Sequence, residues 1–458
     1  MTLFCGIDFG TSNSTVALAD ASRAWLIALE GEAVTLPSAV FWEQDGGAPE
    51  FGRAAISAYL RGDEGRLMRG LKSTLGSGMI DDRTAVGARA VSFREVLTHF
   101  MRHMAEALRA QAPGVDRVVL GRPVHFVDDD AAGDAKAQAV LEEIARALGF
   151  REVAFQYEPI AAALQYEQGI AAEELVLIVD IGGGTSDFSI VRVSPDRARA
   201  ADRAADILAN DGIRVGGTDF DRLLSLAEVM PHLGYKATTK GGKGLMPNHY
   251  FLDLATWHRI NMLYTQRCLA DLKAFSREVD RPELLDRLMN VVSERQGHAV
   301  AMAVEAAKIA LSDQEAVRLQ LSALTGGPNP MLRREAFEAA VAAPVARIAG
   351  MLDSTLAQAG LRADQIGSVF MTGGSSGLPV LRACVQAALP GVAIVTGDML
   401  GSVGTGLALD ARRKFPERRN GTRAAIRACL PGPTGGTKGF PRPPNRPPIG
   451  SNRADGAA

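Results

Sequence analysis

Residues 3–9 are almost all apolar, and the run stops at Gly10. A short run without polar alternation predicts a strand buried on both faces. Residues 14–18 and 25–29 continue as strands, separated by polar or glycine breaks. Ser92-Phe93-Arg94-Glu95 has capping-box spacing and opens a helical pattern towards Ala110. A strand over 117–120, a helix over 131–148 and a strand over 153–156 follow, then an alanine-rich helix from Pro159.

The opening pattern then returns. Residues 174–181 form a second buried run, which closes on Asp180-Ile181-Gly182-Gly183-Gly184-Thr185-Ser186-Asp187, and 188–193 read as the next strand. The first run closes on Ile7-Asp8-Phe9-Gly10-Thr11-Ser12, with its aspartate 172 residues before Asp180. Each unit is a strand ending in Asp-apolar-Gly, then Thr-Ser, then another strand. Two such units imply two homologous lobes facing each other. The chain divides accordingly into a first lobe (1–178), a second lobe (179–411) with a helical insertion near 228–312, and a basic, Pro/Gly-rich tail (412–458). Within the second lobe, 212–221 read as a turn, 253–312 as helical, 330–360 as one long helical pattern, and 368–371 as a strand ending in Thr-Gly-Gly-Ser-Ser. From Pro431 onward apolar residues almost vanish, a composition that predicts disorder.

Glycines at a strand end let backbone N–H groups approach phosphate oxygens without a Cβ in the way. Gly10-Thr11-Ser12-Asn13 and Gly182-Gly183-Gly184-Thr185 both meet that need. Neither continues into Gly-Lys-Ser/Thr, and a strand rather than a helix follows, so neither is a Walker loop. A carboxylate at the base of such a loop repels phosphate unless a divalent cation lies between them. Asp8, Asp180 and Asp187 therefore point to Mg²⁺, held through water. Aspartates that merely brace tight turns would explain one loop equally well; they explain the matched pair poorly.

Three segments together resemble the phosphate-one, phosphate-two and adenosine motifs of the heat-shock-70 chaperone ATPase. They are Gly6-Ile7-Asp8-Phe9-Gly10-Thr11-Ser12, Asp180-Ile181-Gly182-Gly183-Gly184-Thr185 and Thr372-Gly373-Gly374-Ser375. Gln156-Tyr157-Glu158-Pro159 is similar to that family's hinge motif, and Val215-Gly216-Gly217-Thr218-Asp219-Phe220-Asp221 to its Gly-Gly-x-Asp-Phe-Asp loop. Glu305, Lys308 and Ser312 resemble its adenosine-contacting helix. The resemblance covers about residues 3–411 and looks closest to the YegD-type branch, which consists of the ATPase domain alone. It implies a two-lobed α/β actin-like ATPase fold built from duplicated ribonuclease-H-like units, with ATP or ADP and Mg²⁺ in the cleft. Asp8, Asp180 and Asp187 would then organise Mg²⁺ and its waters, and Asp180 or Asp187 would orient the attacking water. Thr11, Ser12, Asn13 and Thr185 would contact phosphate, Lys72 would lie near the γ-phosphate, and Glu158 would link the lobes. Gly10, Gly182, Gly183, Gly184, Gly216, Gly217, Gly373, Gly374 and Ser375 would complete the nucleotide site with Glu305, Lys308 and Ser312. Read without the resemblance, Lys72 is an ordinary surface lysine, and the 305–312 set an exposed polar stripe.

The departures from the family pattern are specific. Ile309 and Gly377 stand where the family stacks two arginines on adenine, and Gln138 stands near the arginine that couples nucleotide state to peptide binding. No second apolar, β-rich domain follows residue 411, so a complete peptide clamp is not expected.

Net charge is −2, but eleven basic residues against two acidic ones follow Asp410, leaving the remainder eleven charges negative. Such an acidic body argues against nucleic acid as the main partner. The four cysteines are far apart, which argues against a disulfide framework, a zinc site or any other metal cluster and for a reducing compartment. Neither a signal peptide nor a membrane span is legible, so the reading is cytoplasmic, with an unidentified client or partner protein. The scattered histidines, His249, His258 and His298 among them, lack metal-ligand spacing, and Ser375 and Ser376 lack a hydrolase context. The function expected is an ATP-binding, ATP-hydrolysing chaperone-like protein. Its rivals are a nucleotide-switched interaction protein with negligible hydrolysis and a small-molecule kinase of the same superfamily.

Overall fold

Two largely buried strands, Phe4–Phe9 and Glu174–Ile181, form the centres of two sheets in the computed structural model. Phe4–Phe9 pairs antiparallel with Asn13–Ala19 on one side and parallel with Arg117–Arg122 on the other. Glu152–Tyr157 and Ala24–Leu26 extend these two sides, and Thr35–Pro37 joins Asn13–Ala19 off the main path. Glu174–Ile181 repeats the plan: Ser186–Val193 is antiparallel to it, Ser368–Thr372 parallel, with Ile207–Ile213 and Ala393–Thr396 outermost. The duplicated motif is thus a duplicated topology. Register places Asp8 opposite Thr15, and Asp180 opposite Asp187, at the C-terminal end of each central strand. The described residues are 2–76, 78–127, 130–167, 169–200, 202–242, 244–397 and 401–415. The expected tail beyond Phe415, including Cys429, lies outside them.

Central strands can be continuously apolar only if both faces are covered. One face of the first sheet packs Ile7, Phe9 and Val16 against Val96, Phe100 and Met104 of the helix Phe93–Gln111. That helix starts at the expected capping box, where Ser92 N donates to Glu95 Oε2 (2.6 Å) and Glu95 N to Ser92 Oγ (3.2 Å). The opposite faces of the two sheets share a core in which Phe4, Ala17 and Val119 of the first meet Val176, Ile178 and Val191 of the second. Two helices fill this seam, Glu158–Glu167 and Ser402–Lys414. They approach so closely that a Cβ on Gly406 would overlap the Ala161 carbonyl, and one on Gly6 the backbone at Ala408. Small residues here are a packing requirement. The far end of Glu158–Glu167 is fixed by the fully buried pair Arg203–Glu167 (2.7 Å). Because Glu158 begins the same helix, this anchor holds the orientation of a candidate site residue.

Several sequence expectations change. The 330–360 pattern is not one helix. Met331–Arg333 is a strand paired with Ala316–Arg318, and the helices Arg334–Ala340 and Ala342–Gln358 meet at 63°. Pro344 explains the break, since a proline lacking N–H is tolerated in a first helical turn and not in a helix interior. The 212–221 turn is shorter than expected: the helix Gly217–Leu224 starts inside it, with Gly216 N donating to Asp219 Oδ2 (3.1 Å). The strand expected over 25–29 is only Ala24–Leu26. A small sheet of Ala39–Glu43, Glu50–Phe51 and Gly65–Arg69, carrying the helix Gly52–Arg61, was not foreseen. Among the described residues, no single helix is long and apolar enough to cross a membrane.

Candidate active site

Each central strand delivers its aspartate to the same place. Between them lies Lys72, three residues beyond the small sheet, whose Nζ is 2.6 Å from Glu158 Oε1. Both side chains of this pair are largely buried, at 13% and 16% exposure, so it is far less screened than a surface ion pair. Burial pushes Asp8 up to about 7, with Glu158 adding to the rise and Lys72 opposing it. Asp180 is pushed up to about 8 by burial, then by Asp187, Glu158 and Asp8. Burial alone would lower Lys72, but Glu158, Asp8 and Asp187 outweigh it and hold the amine firmly cationic. With all four carboxylates ionised and one lysine opposing them, the site would be three charges negative. Retained protons relieve that excess, and a divalent cation would relieve it equally well.

The loops after the two strands touch. A Cβ on Gly183 would overlap the Ser12 hydroxyl. The first loop is braced by Ser38, whose hydroxyl donates to Gly10 O (2.7 Å) and whose N–H donates to Ser12 O (2.8 Å). No motif flagged Ser38. The second loop is braced from behind: Gly182 O accepts from Gly217 N (3.0 Å) and Ser375 Oγ (3.2 Å), and Gly183 O from Thr218 N (2.8 Å). Carbonyls that would repel a phosphate are thereby occupied. Thr185 Oγ1 donates to Asp187 Oδ2 (3.0 Å). Gly373 has φ 85° and lies against Asp180, so that a Cβ there would overlap the carboxylate. A Cβ on Gly216 would come within 2.6 Å of the Gly183–Gly184 backbone. The sequence-predicted residues Gly10, Ser12, Asp8, Lys72, Glu158, Asp180, Asp187, Gly182 to Thr185, Gly216, Gly217, Gly373 and Ser375 therefore form one constellation. Gly374, on the same turn, is exposed. Thr11 and Asn13 share the first loop, with the Asn13 carbonyl against Gly10.

The helix Gly297–Ala310 joins the constellation through Lys308, though not as a free cation. Its Nζ pairs with Asp221 Oδ1 (2.8 Å) and donates to Gly217 O (3.2 Å), and the residue is 6% exposed. Asp221 is pushed up to about 6 by burial, against the pull of Lys308. Lys308 thus props the Gly216–Gly217 turn against the second loop. Glu305 lies half-buried one turn back, and its charge acts on Arg69 and Asp221. Ser312 follows the helix end, its carbonyl taken by Arg334 Nη2 (3.1 Å). Ile309 is 59% exposed. Gln138 accepts from Arg122 Nη1 (2.7 Å), and Arg122 lies over Phe126 and Tyr157, so a strand-end arginine reaches this position. Behind the carboxylates a cavity of about 60 Å³ is lined by Glu158, Asp180 and Asp187 with His125, Ser189 and Asn210.

The residues fit a nucleotide with its cation on two structural grounds. Glycines stand where any Cβ would close the gap between the loops, and the carboxylates at its base retain protons because burial and mutual repulsion outweigh the one lysine. Among the described residues, no three His, Cys, Asp or Glu side chains converge closely enough to bind an ion unaided. Mg²⁺ held through water and phosphate oxygens suits that geometry.

Known proteins resemble this chain in sequence. The Hsp70 protein family matches residues 287–397, and the MreB/Mbl protein family matches residues 77–225. Chaperone protein HscA of Citrobacter koseri is 27% identical over 401 residues, covering 83% of this chain and 53% of that protein. HscA of Escherichia fergusonii is 26% identical over 401 residues, and HscA of Yersinia enterocolitica 26% over 403, with the same coverage. The chain spans about half the length of these curated relatives. Its fold is the α/β fold of the actin-like ATPases. Within that class the chain is similar to Hsp70 proteins.

Proposed function

We propose that the chain binds Mg²⁺–ATP between the loops Gly10–Asn13 and Gly182–Thr185, hydrolyses it, and uses nucleotide state to act on a partner protein in a chaperone-like way. The observation that carries the reading is the meeting of Asp8, Lys72, Glu158, Asp180 and Asp187 at the ends of two duplicated strands. The two halves, expected as 1–178 and 179–411 but divided ahead of the second central strand, Glu174–Ile181, act as lobes that close on the nucleotide.

Bound Mg²⁺ would draw off negative charge from the β- and γ-phosphates. Asp8, Asp180 and Asp187 would hold its waters, and Lys72, kept in place by Glu158, would neutralise charge growing on the transferred group. Asp180 orients the attacking water and accepts its proton. The value of about 8 belongs to the ligand-free site; bound Mg²⁺ would lower it and leave the carboxylate ionised, as a general base must be. Gly373, against its carboxylate, leaves Asp180 room while fixing its position. The relatives' name supports the chaperone-like part of the proposal. Calorimetric titration with ATP, with and without Mg²⁺, tests the binding. Cation-dependent, saturable heat is expected, and the absence of any binding by the folded chain would reject the reading.

A further inference from the structure

The cavity of about 60 Å³ behind the carboxylates is lined by Glu158, Asp180 and Asp187 together with His125, Ser189 and Asn210. Among the described residues, none from Gly10–Asn13 or Gly182–Thr185 borders it. It therefore lies on the side of the carboxylates turned away from the two loops. Its volume is several times the ~10–15 Å³ that one water needs, and a buried water also needs two or more polar partners. The wall supplies them. Ser189 Oγ donates to Asn210 Oδ1 (2.7 Å), and the pair still offers the amide hydrogens of Asn210 as donors and the lone pairs of Ser189 as acceptors.

His125 connects this cavity to solvent, its side chain being 54% exposed. Nδ1 of its ring lies 3.3 Å from Asp134 Oδ2. The other oxygen of Asp134 accepts from Phe126 N (2.5 Å) and Val127 N (3.2 Å), and Arg122 Nη2 is 3.6 Å from Oδ2. A carboxylate held in this way can only accept. Nδ1 therefore carries hydrogen, and Nε2 keeps the lone pair. The charged groups around the ring are Asp134 from the helix Ala131–Ala147, Arg122 from the strand Arg117–Arg122, and Glu158, Asp180 and Asp187 across the cavity. An oriented imidazole between buried carboxylates and solvent is equipped to pass protons, since no other side chain exchanges them as readily near neutral pH.

Resting on the hydrolysis reading, we propose that His125 and this cavity form an exit for the hydrolytic proton, leading from Asp180 through water to solvent on the side away from the phosphates. As the oxygen of the attacking water bonds to the γ-phosphorus, the bond to the bridging oxygen breaks and one water proton passes to the Asp180 carboxylate. Asp180 gives that proton to a water in the cavity, which gives one of its own to Nε2 of His125. The imidazolium then loses a proton to solvent. Asp180 ends ionised and His125 neutral, as both began. Bound nucleotide fills the loop side, so without this exit the proton leaves only with the product phosphate. His125 touches no reacting atom; it acts through water and Asp180.

The test follows a single turnover of Mg²⁺–ATP in weak buffer near neutral pH. Cleavage is read by chemical quench, phosphate release by a phosphate sensor and proton release by an indicator dye. In wild type the proton should appear with cleavage and ahead of phosphate. In His125→Gln, cleavage should stay within about twofold of wild type while the proton lags it at least about tenfold, at the pace of phosphate release. Added imidazole should restore the early proton. Asn210→Leu, which sets an apolar side chain in the water path, should delay the proton too, and imidazole should not restore it. In the ligand-free protein, nitrogen-15 NMR should find the neutral His125 ring protonated on Nδ1. A proton that accompanies phosphate in wild type, or keeps pace with cleavage in His125→Gln, overturns the exit and leaves the hydrolysis reading intact. Cleavage slowed as much as proton release in that variant overturns it too, as does a ring protonated on Nε2. A wild type that binds Mg²⁺–ATP and never cleaves it overturns the hydrolysis reading, and the exit with it.

Discussion

At the floor of the cleft the two halves meet through charge, and at its mouth they meet through aromatic rings and a guanidinium. The floor packs Asp8, Glu158, Asp180 and Asp187 around the single amine of Lys72, and it is electrostatically unbalanced. The mouth pairs Arg69 with Trp257 and Tyr59 with His298 and Asn261, and its contacts are satisfied without any ligand. Imbalance is what a site needs if a cation and a phosphate are to complete it; balance is what a clasp needs if it is to hold. The floor governs chemistry, and the mouth holds the halves together.

Changes at the floor should give the largest effects. Lys72→Ala removes the one cation opposing four carboxylates, and hydrolysis in a single turnover should fall about 10²- to 10³-fold, the scale for losing one preorganised charge at a transition state. A fall of less than about threefold would move Lys72 out of the site. The same imbalance makes a prediction about pH. Asp8 and Asp180 have folded-state values of about 7 and about 8, well above the value of about 3.9 expected for an unfolded aspartate. Between those limits the folded state binds more protons than the unfolded one. Stability of the ligand-free protein is therefore greatest below about pH 4 from these groups and is lost as pH rises towards about 8. Asp180→Asn removes the larger share. It should raise the melting temperature at pH 8 by ~2–5 °C and flatten its decline from pH 6, measured by calorimetry. A variant that melts lower than wild type at pH 8 would show that Asp180 is not under strain.

Between floor and mouth lies the expected adenine surface, where Ile309 is exposed and Gly377 has no side chain. Gly377→Arg should tighten ADP about three- to tenfold in calorimetric titration, by supplying a guanidinium to the base. Equal affinities would mean that the stack is already supplied by another group. Smallest of all, Tyr59→Phe should leave the melting temperature within ~2 °C, since one partly exposed hydrogen bond contributes about 0.5–1.5 kcal/mol in a large protein.

This contrast also explains what the sequence disclosed. The floor was legible because it is written twice, in strands buried on both faces and followed by glycine turns that only a close approach requires. Glu158 and Lys72 were found through resemblance, and their 2.6 Å pairing needed the fold. The mouth was not legible. Its partners are 202 to 239 residues apart, and tyrosine, arginine, tryptophan and histidine at such spacing carry no pattern. His298 lacked metal-ligand spacing, and in the fold its ring packs across the two halves. The small sheet that presents Arg69 lacks a period-2 signal, because Ala39–Glu43 is buried almost throughout and Glu50–Phe51 is only two residues long. The single helix expected over 330–360 failed for a local reason, the proline at 344, which the sequence contained and the periodicity outweighed.

Single-turnover hydrolysis of ATP by Asp180→Asn, with nucleotide affinity measured on the same sample, tests the central claim most directly. Asparagine keeps the size of the side chain, relieves the buried negative charge and cannot accept a proton. Hydrolysis should fall about 10²- to 10⁴-fold while Mg²⁺–ATP still binds within about tenfold of wild type. Turnover at the wild-type rate in that variant would contradict the account.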